Sequence, residues 1–227
     1  MSVLRDLLRW TVCLLRLWPV RLGRLLGVVA VSPSGTEPVL WLAWLHRFAW
    51  AQFDLVGGPE LVELLWRAFT QTRRLTAAEI AVAESVLGPE ALQYEDVRVA
   101  SGGFLGPVFE RNGQRAFATW HTVNLPAMRA GDLPLLVHEL THVLQYERVG
   151  SVYIGQGLWV QYRKGRAAYD YGGQDGLQQA ISAGKQYRDY NREQQGQIAQ
   201  DFCAHQLVGR ETDVYAPFIA QLRQGLL

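Results

Sequence analysis

Two imidazoles one helical turn apart, with a carboxylate beside the first, carry the chemistry of this chain. The run Leu135-Leu136-Val137-His138-Glu139-Leu140-Thr141-His142-Val143-Leu144-Gln145 sets a His-Glu-x-x-His motif in an otherwise apolar segment. On an α-helix, residues i and i+4 project from one face, so His138 and His142 can grip a single divalent ion while Glu139 stands beside it. Zinc accepts imidazole nitrogen readily, and a catalytic zinc site takes three protein ligands and keeps one position for water. Zinc brings the pKa of that water to about 7, and a neighbouring carboxylate can take its proton as it attacks a polarised carbonyl. Glu139 is the residue for that role. Chance also places two histidines a turn apart, but here the flanks are those of a helix: Asp132 for an N-cap, Pro134 in the first turn and Gly150 as a stop.

A third ligand must come from a later segment that folds back over this helix. Glu147 lies too close along the same helix to face the ion together with both histidines. Among the downstream donors Glu193 is favoured, because Tyr190-Asn191-Arg192-Glu193-Gln194-Gln195-Gly196 opens a helix and Gly196 permits close approach to the motif helix. Asp201 and His205 stay open as alternatives. Asp201, two turns beyond Glu193 but rotated off its line, better suits a carboxylate that orients a ligand histidine through its other ring nitrogen. An exposed glutamate is the ordinary fate of a residue like Glu193. Oxyanion stabilisation would need a donor from among Tyr153, Tyr162, Tyr187, Tyr190 and His205, although tyrosines in such a region more commonly serve packing.

The elements that must position these groups are mostly helical. At 227 residues the chain suffices for one sizeable domain, or a domain with a helical extension. Its 49% hydrophobic content, 19% charged content and eight Trp describe a globular chain rather than a disordered one. With 22 basic against 21 acidic residues there is no global field to recruit nucleic acid. Cys13 and Cys203 stand far apart, which excludes a disulfide framework and a cysteine metal site.

Met1 to Ala30 is rich in Leu, Val and Trp but interrupted by Arg5, Arg9, Arg16, Arg21 and Arg24, so neither a signal peptide nor a spanning helix is expected. The expected location is therefore cytoplasmic before any specialised secretion. Arg5, Arg9 and Arg16 share one arc of a helical wheel, with Leu7, Trp10, Leu14 and Trp18 toward the other side. Such a helix can make peripheral contact with an anionic membrane. The favoured reading is that its apolar side docks on a partner or on its own domain, since the rest of the chain also has apolar surface to bury.

Residues 31–38 carry turn formers and read as a linker. Helices are expected from Val39 to about Phe53, from Pro59 through Phe69, and from the capping box Thr76-Ala77-Ala78-Glu79 to Leu87. Tyr94 to Ala100 and Arg115 to Leu125 are rich in β-formers with turn signals between them, which predicts a short sheet whose edge could pair with an extended peptide. From Val152 to Tyr171 the pattern is ambiguous. Helices follow around Leu177 to Tyr187, from Arg192 to Leu207, and from Tyr215 to Leu227.

The ordered segments Leu75 to Gly88, Val97-Arg98-Val99, His121 to Leu125, His138 to Gln145, Tyr169-Asp170-Tyr171-Gly172 and Tyr190 to Gly196 together resemble a known family. It is the metallopeptidase-like core domain of extracellular contractile injection systems, particularly the branch associated with Rhs and VgrG-type secretion proteins. The resemblance covers about Leu75 to Leu207. It implies an α+β, mostly helical zincin-like fold of the gluzincin type with a small sheet, Glu193 as third ligand to Zn2+, bacterial origin, peptide or protein substrates and secretion-system partners. One departure stands out: many gluzincins carry an acidic residue four positions after the ligand glutamate, and here that residue is Gln197, leaving Asp201 as a possible substitute. Residues 75–227 are accordingly read as the metallopeptidase domain and 1–74 as an N-terminal helical extension outside the resemblance. The functional expectation is an active zinc peptidase; the alternative is a non-catalytic or self-processing zinc module of a secretion apparatus.

Overall fold

The computed structural model describes residues 2–227, and of residues 2–10 and 13 it describes the backbone only. The expectations for the side chains of Arg5, Leu7, Arg9, Trp10 and Cys13 lie outside the described residues. The fold is α+β and mostly helical, with one four-stranded sheet. Two long helices, α1 (Ser2–Ala30) and α2 (Pro38–Leu55), form a hairpin, followed by α3 (Gly58–Phe69). The turn-rich segment between α1 and α2 is the linker that its Pro and Gly content predicts.

The strands are β1 (Gln71–Arg74), β2 (Arg98–Ser101), β3 (Phe117–Thr119) and β4 (Thr122–Asn124), ordered β1-β2-β4-β3. β2 and β4 run parallel with Val99 opposite Val123, while the outer pairs are antiparallel. The run from Arg115 to Leu125 therefore folds as two strands rather than one. It turns at Trp120, whose φ of 49° is held by burial of the indole: Nε1 donates to Ser151 Oγ at 2.7 Å, and the Trp120 amide donates to the Tyr153 hydroxyl at 3.3 Å. β1 has no counterpart in the sequence reading, because Gln71-Thr72-Arg73-Arg74 is exposed throughout and carries no alternation.

Between the strands lie α4 (Ala77–Leu87) and α5 (Leu105–Arg111). The capping box at Thr76 forms as its sequence predicts, with reciprocal bonds between Thr76 and Glu79. The second half of the chain is α6 (Leu133–Val149), α7 (Val152–Lys164), α8 (Gly173–Ser182), α9 (Arg192–Leu207) and α10 (Ala216–Arg223). α6 starts on Asp132, whose carboxylate accepts from the Leu135 amide, with Pro134 in its first turn and Gly150 at its end.

α6 is the centre of the molecule. Every residue from Leu136 to Tyr146 is buried. Its apolar members pack against Ala83, Val86 and Leu87 of α4, Val99 and Val123 of the sheet, and Ile198, Ala199 and Phe202 of α9. A helix buried on all sides can hold polar groups only where they find partners or serve a site. No helix among the described residues is long and apolar enough to cross a membrane.

The N-terminal helices are tied to α6 and α7 by charge. Arg21, 1% exposed, forms a two-pronged pair with Glu60 and donates to the Tyr146 hydroxyl at 2.9 Å and the Asp54 carbonyl at 2.8 Å. Asp54 in turn accepts from the amide and hydroxyl of Ser151 at the head of α7. Glu63 of α3 accepts from the His121 amide at 2.8 Å, and the His121 ring meets Glu147 at 3.1 Å.

Candidate metal centre

α6 and α9 place three donors at one point. His138 and His142 project from one face of α6, and Glu193 enters from the first turn of α9. That turn is set by Asn191, whose side-chain oxygen accepts from the amides of Glu193 and Gln194 while Gln194 reaches back to the Asn191 amide. Glu193 Oε2 lies 3.7 Å from His138 Nε2 and 3.6 Å from His142 Nε2. One ligand atom from each of the three residues lies within 4.8 Å of the others, and all three residues are buried. Metal–ligand bonds of about 2.0–2.1 Å in a tetrahedron put donor atoms roughly 3.4 Å apart, so this spacing fits one shared ion better than direct hydrogen bonds.

Two glycines make room for the cluster. A Cβ on Gly196 would lie 2.9 Å from His138 Cε1 and Nε2, and a Cβ on Gly157 of α7 would lie 2.9 Å from Glu193 Oε1. The close helix approach expected at Gly196 is thus the feature that seats the imidazole.

The surroundings also orient the donors. Gln145 Oε1 meets His142 Nδ1 at 2.8 Å, and its amide nitrogen donates to the Arg192 carbonyl and Gln195 Oε1. Gln145 thus favours a proton on Nδ1, turning the Nε2 lone pair toward the cluster. Burial pulls the His142 pKa down, but Glu193, Glu139 and the Gln145 bond outweigh it and lift it to about 9. Burial likewise works against the Glu193 carboxylate, yet the two imidazoles hold it well below the usual carboxylate range. Glu139 differs: burial raises its pKa, the histidines only partly opposing, and its Oε2 has no hydrogen-bond partner. His138 Nδ1 is also buried without one. An unpartnered carboxylate oxygen beside three converging donors is what a proton-accepting group at a metal site requires.

Asp201 sits elsewhere. Its oxygens accept from the Tyr171 hydroxyl and from Gln197 Nε2 at 2.8 Å, so Gln197 is paired with Asp201 and the orienting contact to His142 comes from Gln145. His205 is bonded to Gln174 and the Glu211 carbonyl, away from the cluster. Of the tyrosines considered as oxyanion donors, Tyr187 donates to the Gln195 carbonyl, Tyr162 is 84% exposed, and the Tyr153 hydroxyl is engaged by the backbone at Ala118 and Trp120. Tyr169 was not among them. Its ring lies 5.9 Å from that of His138, its hydroxyl is hydrogen-bonded to the Glu193 carboxylate, and burial, with the Glu193 and Glu139 charges nearby, pushes its pKa up so that it remains a neutral donor.

The cluster floors an open cleft of about 440 Å³. One wall is the segment leading into β3, which forms an edge of the sheet; the opposite wall is α7, through Ile154, Gly157 and Leu158. Arg115, Arg129 and Arg166 also line it.

No family model matches the chain, and no solved structure does. Over 183 residues, 75% of the chain, it is 28% identical to the type VI secretion system spike protein VgrG2b of Pseudomonas aeruginosa. The match spans 16% of that protein's length.

Proposed function

We propose that this protein is a zinc-dependent peptidase that works in association with a bacterial secretion apparatus. The observation that carries the reading is the buried His138–His142–Glu193 cluster with the unpartnered Glu139 carboxylate beside it, at the floor of an open cleft. Zn2+ held by the two imidazoles and the carboxylate would supply Lewis acidity toward a scissile carbonyl and acidify water. Glu139 accepts the proton released as water adds to the carbonyl carbon, and returns it to the departing amine. Its raised pKa suits both transfers. Tyr169 offers an O–H toward the oxygen that gains charge. An extended substrate pairs with the edge of β3, which brings its backbone over the cluster.

The secretion link is supported by the likeness to a spike protein and by the resemblance to the Rhs and VgrG-associated branch. The same likeness favours a second reading, in which the cluster belongs to a binding or self-processing module without turnover on other proteins. An open cleft and the Glu139 carboxylate beside the cluster support the enzyme, since a structural zinc site takes a closed fourth position and has no use for a base. Incubating the zinc-loaded protein and its Glu139→Gln variant with a peptide library separates the two. Cleavage by the wild type that disappears in a variant still holding zinc is expected; no cleavage by the wild type would leave the module.

A further inference from the structure

α1 carries two apolar faces, and only one of them is turned inward. Leu15, Trp18, Leu22, Leu26 and Val29 recur at helical spacing and would ordinarily mark the face turned to a core. Instead Leu15 is 69% exposed, Trp18 46%, Leu26 58% and Val29 46%, with only Leu22 half-buried. The side that docks carries Leu14, Leu17, Leu25 and Val28 and, among them, Arg21, held by Glu60, Tyr146 and the Asp54 carbonyl. Rotating the stripe inward would strip a buried guanidinium of those partners, so the outward orientation is enforced. The second helix of the hairpin also leaves Trp41, Leu42 and Leu45 exposed. Apolar surface on this scale, arranged as a stripe, marks an interaction face.

We propose that the α1–α2 hairpin docks on the surface of an anionic lipid bilayer. Charge selects this occupant. Residues 2–55 contain six arginines and three acidic residues within a chain of net charge +1, and of these arginines Arg21 is buried and Arg24 is bonded to the carbonyls of Glu147 and Arg148. Of the three acids, Asp54 is buried against Ser151. Arg16 and Arg47 are exposed on the two helices, and Glu37 is the exposed acid among the described side chains there. An outward apolar stripe with tryptophan and flanking arginines is the pattern of a helix lying in the lipid headgroup region. Neither helix qualifies as a span, so the contact is peripheral. The sequence favours docking of this helix's apolar side on a partner or on its own domain; the structure docks the side with Leu14 and Arg21 and leaves the stripe with Trp18 for the membrane.

The test is flotation of the full chain with phosphatidylcholine vesicles, with and without phosphatidylglycerol. The wild type is expected to float with the phosphatidylglycerol vesicles. The triple variant Leu15→Asp, Trp18→Asp, Leu26→Asp is expected to partition at least roughly tenfold more weakly, with zinc content and thermal unfolding unchanged. The milder Arg16→Glu, Arg47→Glu pair is expected to remove the dependence on phosphatidylglycerol. It also decides the matter should the triple variant misfold. A wild type that stays at the bottom of the gradient with both vesicle types overturns the proposal. So does a double-glutamate variant that floats like the wild type, or a dimer in light scattering that the stripe substitutions dissolve without any lipid binding, which would make the stripe a self-association face.

Discussion

The α6–α9 cluster and the α1–α2 hairpin bury charge in opposite ways. In the first, four ionisable side chains are buried at the floor of the cleft, where α6 meets the apolar core, and two of their polar atoms, on His138 and Glu139, have no protein partner. In the second, one guanidinium is buried with both terminal nitrogens partnered, while the apolar stripe on the other face of the same helix points outward. Unpartnered polar atoms beside converging donors are what the zinc proposal rests on; a partnered guanidinium beneath an apolar exterior is what the membrane proposal rests on. Chemistry is the role proposed for the first region, and attachment to a membrane the role proposed for the second.

That contrast can be broken most forcefully at Arg21. Arg21→Ala leaves the Glu60 carboxylate and the Tyr146 hydroxyl unpaired beneath α1, and should cost about 3–5 kcal/mol in urea unfolding. Combining Arg21→Met with Glu60→Leu should recover part of it, because an apolar pair removes the unpaired Glu60 charge while the Tyr146 hydroxyl and the Asp54 carbonyl still lack their donor. A single variant as stable as the wild type would mean that the hairpin is not clamped by this pair.

A smaller effect is expected at the cluster itself. Gly196→Ala drives a methyl against the His138 ring and should destabilise the fold by about 1–3 kcal/mol. Zinc affinity should fall roughly 10–100-fold as the imidazole is displaced, the range typical of disturbed ligand support. Titration calorimetry with zinc checks this, and unchanged affinity would show that the approach of α9 does not seat the ligand.

The mildest effect lies between the two regions, where His121 bridges Glu63 and Glu147. Burial pulls its pKa down, but the bonds to Glu147 and Glu63 prevail and push it up to about 9 from 6.5. A raised histidine pKa contributes stability that is complete below about pH 6.5 and is lost as pH rises through about 9. The melting temperature should therefore decline between pH 7 and 10, and His121→Asn should flatten that decline. An equal decline in the variant would remove His121 from the account.

How much of this was legible beforehand follows from distance along the chain. His138, Glu139 and His142 declare themselves because one helical turn suffices to relate them, and Glu193 followed from its place at a helix start with Gly196 behind it. Gln145 carries no such mark, since its role exists only once Arg192 and Gln195 have folded against it. The Arg21 network was invisible for the same reason: its partners lie 33, 39 and 125 residues away. α7 read as ambiguous because its Tyr and Gly residues suit neither periodicity, yet Gly157 is small to accommodate Glu193. Tyr169 escaped because it belongs to a short turn that only the tertiary fold brings over His138.

The central claim is that two imidazoles of α6 and one carboxylate of α9 hold a single zinc ion. Metal content by mass spectrometry of the purified wild type and of Glu193→Ala, both dialysed against trace zinc, tests it most directly. About one zinc per chain in the wild type and a near-complete loss in the variant is predicted. Zinc retained at full stoichiometry by Glu193→Ala, or absent from the wild type, would contradict it.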